Sequence, residues 1–106
     1  MITIKIFRTL ALSFENTSEQ PHFEKISFRV GKKIFASYDD KHHTACIKLS
    51  AIDQDVFSFY KKEIIYPVPN KWGKQGWTII ELKTVPKAMF IDAIKTAYNE
   101  VAPKKL

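Results

Sequence analysis

The stretch His22-Phe23-Glu24-Lys25-Ile26-Ser27-Phe28-Arg29-Val30-Gly31-Lys32-Lys33-Ile34-Phe35-Ala36-Ser37-Tyr38 decides the fold. Ile26, Phe28 and Val30 alternate with Ser27 and Arg29, the period of two that marks a strand with one buried face. Gly31-Lys32 offers a two-residue turn in which Gly takes a positive φ, and a second β-rich run follows over residues 33–38. A hairpin is therefore predicted here, and the rest of the chain is read outward from it.

Downstream, residues 39–42 (Asp-Asp-Lys-His) form a second turn, rich in residues that make Asx-turns. Residues 43–49 read as a third strand, with Ala45, Ile47 and Leu49 on one face and Thr44, Cys46 and Lys48 on the other. Three strands joined by short turns make an antiparallel meander, because parallel neighbours need long crossovers. Ser50 opens a helix, with Asp53 three residues on in a capping-box-like arrangement. Ile52, Val56, Phe59 and Tyr60 stand at helical spacing, so this stripe is expected to face the core. Residues 64–66 are a short β-prone run stopped by Pro67 and Pro69, residues 70–76 a loop, and residues 77–83 a last strand that pairs with the short run as a second hairpin. Pro86 suits the first turn of a final helix, whose stripe is Phe90, Ala93, Ile94, Ala97, Tyr98 and Val101.

Upstream, Phe7, Leu10, Ala11 and Phe14 predict a first helix over residues 3–14, although Ile2, Ile4 and Ile6 also alternate as a strand start would. Residues 15–21 are polar, end in Pro21 and read as a loop. The predicted order is α-β-β-β-α-β-β-α over one domain, residues 1–106. This is an α+β fold, a single antiparallel sheet of about five strands with three helices packed on it.

Composition narrows the function classes. Seventeen Lys and Arg against eleven Asp and Glu give a net charge of +6, which attracts phosphate backbones, anionic surfaces or acidic partners. Only Arg8 and Arg29 are arginines. Bidentate reading of base edges relies on Arg, whereas Lys acts as a point charge on phosphate, so any nucleic-acid binding is expected to be dominated by the backbone. The lone Cys46 rules out an internal disulfide and fits a reducing compartment. The first eight residues carry charges within their apolar run and lack a signal-peptide pattern, so a soluble cytoplasmic protein is expected.

Chemistry is sparse. His22, His42, His43 and Cys46 lack the converging spacing of a zinc site, and neither a metal nor another cofactor is expected. Cys46 sits mid-strand among apolar residues, where a thiol is inert, and the Asp pairs are turn and helix-start residues. Gly31, Gly73 and Gly76 form no phosphate-cradling loop. An enzyme is not expected. Lys71-Trp72-Gly73-Lys74 sets positive charge beside an aromatic, the combination that binds phosphates and stacks bases. Trp72 folded over the sheet edge, with its lysines in solvent, is the structural alternative. Trp77 is expected in the core.

Ala11-Leu12-Ser13, His22-Phe23, Phe28-Arg29-Val30, Lys33-Ile34-Phe35-Ala36, Ile47-Lys48-Leu49, Gly76-Trp77, Ala97-Tyr98 and the closing Val101-Ala102-Pro103-Lys104-Lys105-Leu106 stand in an order that resembles the MmcQ/YjbR family. The chain departs from the family pattern by a shorter lead into the first helix and by Phe14-Glu15-Asn16 in place of Pro-Gly. The resemblance implies a compact α+β domain, likened to bacterial double-wing DNA-binding domains, with no catalytic residues to carry over. It points to double-stranded DNA as partner. The alternative reading is a non-enzymatic adaptor that binds a protein or a small ligand on the sheet face, and in either case a monomer or weak dimer is expected. The contacts it suggests are the hairpin-tip residues Lys32, Lys33, Lys71, Trp72 and Lys74, helped by Lys104 and Lys105. His22, Arg29 and Lys48 recur in the family; on one sheet face they would hold an anion or form a structural hydrogen-bond network.

Overall fold

The computed structural model describes residues 1–103. The alternating runs form an antiparallel sheet: β1 (Thr17–His22), β2 (Lys25–Val30), β3 (Lys33–Asp39), β4 (Thr44–Lys48), β5 (Ile65–Pro67) and β6 (Trp77–Glu81). Its strand order is β1-β2-β3-β4-β6-β5. Helices α1 (Ile4–Ala11), α2 (Ala51–Tyr60) and α4 (Lys87–Val101) cover one face, and a one-turn helix, α3 (Lys71–Lys74), joins β5 to β6. The α+β class, the single antiparallel sheet and the central meander are as the sequence predicts. The described residues hold six strands and four helices, however, rather than five and three.

Both additions come from segments read as loops. β1 is polar and contains Pro21, yet it pairs along its whole length with β2, from Thr17 opposite Val30 to His22 opposite Lys25. It is an edge strand, the place where a sheet tolerates proline, and its polar side chains blunt the exposed edge. α3 is nucleated by Asn70, whose side chain accepts the Trp72 backbone N–H at 2.8 Å. Two close approaches hold α3 in place. A Cβ on Gly73 would lie 2.0 Å from the Val68 carbonyl oxygen. Gly76, at φ +105°, passes the Leu49 backbone so closely that a Cβ would lie 1.9 Å from its oxygen.

The core fills the helix-covered face. Phe7 of α1 stacks on Phe28 at 5.0 Å between centroids and meets Phe90 of α4 edge-on at 5.2 Å. Ala45, Ile47 and Leu49 are fully buried beneath α4, as the alternation in β4 requires. Between β2 and β3, Phe28 pairs with Ala36 and Arg29 with Ile34, so Phe35 is an extra, bulged residue. The bulge lets Phe35 and Ala36 both point inward and turns Ile34, Ser37 and Asp39 to the other face.

Two expectations about burial are corrected. The α2 stripe faces solvent: Ile52, Val56 and Phe59 are 77%, 63% and 90% exposed, while Gln54 and Phe57 point inward. Trp77 is half-buried on the uncovered face of the sheet, outside the core, because it alternates with the buried Thr78 and Ile80. No helix among the described residues is long and apolar enough to cross a membrane.

Candidate functional site

The strand register fixes which loops leave the sheet together. Val30 pairs with Lys33, Lys48 with Trp77 and Pro67 with Thr78, so the β2–β3 turn and the β5–α3–β6 connection emerge at the same end. In the strand order three spacings separate them, roughly 14 Å at about 4.8 Å per strand. Gly31 takes φ +60° at the first central position of its turn, the signature of a type II′ hairpin, and leaves Lys32 and Lys33 exposed at the tip. Lys71 and Lys74 are exposed on α3. None of the four joins an ion pair among the described residues. The opposite end mixes Lys25 and Lys41 with Asp39, Asp40 and Glu81. Lys104 and Lys105 lie outside the described residues.

Trp72 combines both readings of its loop. The residue is 49% exposed, with Lys71 Nζ 5.8 Å from its ring centroid, and it also lines the groove on the open sheet face. His22, Arg29 and Lys48 are not brought into one clamp. Arg29 pairs with Ser18, four residues before His22 on β1, which sets the two about 13 Å apart along the strand. Arg29 Nε donates to Ser27 Oγ at 3.3 Å, and Lys48 Nζ donates to the Gln75 carbonyl. Only His22 lines the groove described next.

The uncovered face holds a groove of about 840 Å³, well within the range that takes a small organic molecule. Its floor crosses four strands in register: Ser37 opposite Cys46, Cys46 opposite Ile79, and Ile79 opposite Tyr66. Trp77 and Trp72 wall the α3 end. At the other end Asp39, Thr44 and Glu81 stand side by side on neighbouring strands.

The two carboxylates there are held differently. His42 donates to Asp39 through Nδ1 at 2.8 Å and through its backbone N–H at 3.3 Å, and Lys25 Nζ lies 3.9 Å away. Burial pushes the Asp39 carboxyl up, but the His42 hydrogen bonds and the two cationic neighbours outweigh it, and the net shift is downward. Glu81 accepts the Tyr66 hydroxyl at 2.5 Å, and no cationic side chain among the described residues pairs with it. That hydrogen bond, with burial second, pushes the Tyr66 phenol up to about 12, so it stays a donor at neutral pH. Burial pushes the Cys46 thiol up to about 11, which leaves it un-ionised on the groove floor. No group of three or more metal-ligating side chains converges among the described residues.

Alternation alone could have placed Cys46, Ile79 and Glu81 on the open face. The meeting of Tyr66 with Glu81 follows from the second hairpin that the sequence predicts, since Tyr66 stands opposite Ile79, two residues before Glu81; that the hairpin docks on β4 through β6 has no local signal.

The YjbR family model matches residues 12–100. The crystal structure of Deinococcus radiodurans protein DR2400, which carries a DUF419 domain, is similar in fold with a TM-score of 0.83 at 20% identity. The match covers 95% of this chain and 79% of that one. No curated protein matches the chain.

Proposed function

From the premise that the chain belongs to the YjbR family, we propose that it is a non-catalytic module that grips the backbone of double-stranded DNA with little regard for sequence. One observation carries the reading: the topology sets two lysine tips, Lys32-Lys33 and Lys71-Lys74, at one end of the sheet with no carboxylate among the described residues paired to them. Their separation of roughly 14 Å is close to the ~12 Å width of the major groove, so flexible lysines on both tips reach phosphates on either side of it. Trp72 beside Lys71 adds a ring that packs against sugars or an end base. The lysines serve as point charges and no arginine stands on either tip, which is why affinity rather than sequence choice is the expected property. Each copy binds as a monomer or weak dimer.

Titration of labelled duplexes tests this. Four to five phosphate contacts predict a log–log salt slope near −4, from roughly −0.9 per neutralised phosphate, with similar affinity for unrelated sequences. The double variant Lys71→Glu/Lys74→Glu is expected to weaken binding at least tenfold and to lower the slope by about 2. Lys32→Glu/Lys33→Glu is expected to do the same, and both leave the melting temperature within a few degrees because all four side chains are exposed. Absence of wild-type binding at low salt, or an effect confined to one tip, would overturn the two-tip reading.

A further inference from the structure

The groove on the open face is separate from the lysine tips in its chemistry, and we propose that it binds an elongated organic cation, an ammonium group on a flat apolar body. The charge balance is the first reason. In a chain of net charge +6, the Asp39–Thr44–Glu81 end of the groove carries two carboxylates against Lys25, which is spent on Asp39 together with His42. Glu81 is left half-buried with a phenol as its one side-chain partner. Tyr66 donates to Oε2; Lys61 and Lys83 share a neighbouring depression with Glu81 but form no ion pair with it, so the carboxylate keeps acceptor capacity for a further N–H. A carboxylate in a partly desolvated site without a counter-ion favours a cation, because an arriving ammonium supplies the charge that the fold does not.

The walls give the second reason. Tyr66 stands at Glu81, and Trp77 and Trp72 line the same groove farther along, so an apolar aromatic path leads up to a carboxylate, a lining that suits an organic ammonium on an apolar body. Trp77, Ile79 and Glu81 alternate along β6 on this face, so Trp77 stands about 13 Å from Glu81 along the strand. The ammonium end sits at Glu81 and Tyr66. The apolar body lies across Ile79 and Cys46, and its far end reaches the tryptophans. An anion of the same shape meets Glu81 head-on and is excluded.

Trp72 and Trp77 are the chain's two tryptophans and both line the groove, so intrinsic fluorescence reports occupancy directly. The probes are 3-phenylpropylammonium, the neutral 3-phenylpropanol and the anionic 3-phenylpropionate, alike in length and ring. Saturable binding of the ammonium is expected, about tenfold tighter than the alcohol, with the carboxylate weakest. Glu81→Gln keeps an acceptor for Tyr66 and is expected to make ammonium and alcohol equal. Trp72→Ala is expected to weaken all three probes without changing their order. Backbone amide shifts of the wild-type protein on adding the ammonium provide a readout that needs no variant; they are expected at Cys46, Tyr66, Ile79 and Glu81. The proposal is overturned if the ammonium shows no saturation up to about 10 mM. It is equally overturned if the carboxylate binds as tightly or if the shifts fall elsewhere. Trp72 is shared by the groove and the lysine tips, but Glu81 and Ile79 lie outside the tips and Lys32, Lys33, Lys71 and Lys74 outside the groove, so failure here leaves the duplex-binding titration with the lysine variants to stand or fall separately.

Discussion

In α4, Phe90, Ala93, Ile94 and Ala97 are fully buried against β3 and β4; in α2, Ile52, Val56 and Phe59, at the same kind of helical spacing, lie in solvent. The difference follows from what each helix has beneath it. α4 lies over the central strands, where Phe35, Ala36, Ala45 and Ile47 present only apolar side chains. α2 lies over the β5–β6 end, where the chain leaves the sheet to form α3 and exposes backbone acceptors inward. Gln54 meets them: Nε2 donates to the Gly73 carbonyl at 2.9 Å and Thr78 Oγ1 at 3.1 Å, with the Trp77 carbonyl at 3.3 Å. An apolar side chain there would take one hydrogen bond from each of these buried groups, about 0.5–1.5 kcal/mol apiece, although the Gly73 and Trp77 carbonyls also accept the Gly76 and Val68 N–H groups and Thr78 Oγ1 also donates to the Gly76 carbonyl. The polar face of α2 therefore turns inward beside Phe57. The apolar stripe is left outside.

The comparison can be broken most severely at α4. Phe90→Ala removes a fully buried ring that meets Phe7 at 5.2 Å. It is expected to cost about 3–5 kcal/mol, seen as a fall of well over 10 °C in thermal unfolding. A loss below about 1 kcal/mol would mean that the α4 side of the core is not the dominant one. Next in size is Gln54→Leu, which keeps the bulk and removes the donors. The expected loss is about 1–3 kcal/mol, accompanied by faster amide exchange around Gly73, because α3 loses its tie to α2. A neutral or stabilising outcome would show that apolar contact through Phe57 alone docks the helix.

These two helices also mark how far the sequence could be read. The period of the α2 stripe was legible in Ile52, Val56 and Phe59, and Ser50 caps the helix through the Asp53 N–H as its position suggests. Which side faced inward was not legible, since it depends on carbonyls donated by a distant turn. The meander was legible because each of its strands buries one face. β1 was not, because an edge strand gains its ladder from β2 while its side chains remain as polar as a loop's. The lysines of the two tips were visible individually; that they share one end of the sheet is a consequence of register. The groove was half legible. Thr44 and Cys46 fall on the face opposite Ala45 by simple alternation, and the predicted second hairpin carries Tyr66 to Glu81, but the docking of β6 against β4, which joins the two parts of the groove floor, has no local signal.

The smallest expected effect is the sharpest test of the comparison. If the α2 stripe is free, then Ile52→Glu, Val56→Lys and Phe59→Lys made together remove little contact within the chain. The acid introduced at position 52 stands in the first helical turn and the base introduced at position 59 in the last, where each complements the helix dipole. The new acid and the base introduced at position 56 are also spaced i, i+4, worth a few tenths of a kcal/mol as a pair. All three replacements have better helix propensity than the residues they replace. Stability is therefore expected to stay level or to rise by up to about 1 kcal/mol, read by denaturant unfolding at low protein concentration. A single Phe57→Lys change, one position round the helix, buries a charge among the core residues and is expected to be severely destabilising, which guards against a protein that merely tolerates any change in α2. The contrary result is a triple variant that unfolds several degrees lower, with a wild-type midpoint that rises with protein concentration. Mass action would then place a second copy over the stripe, and α2 would resemble α4 after all, its partner supplied from another chain.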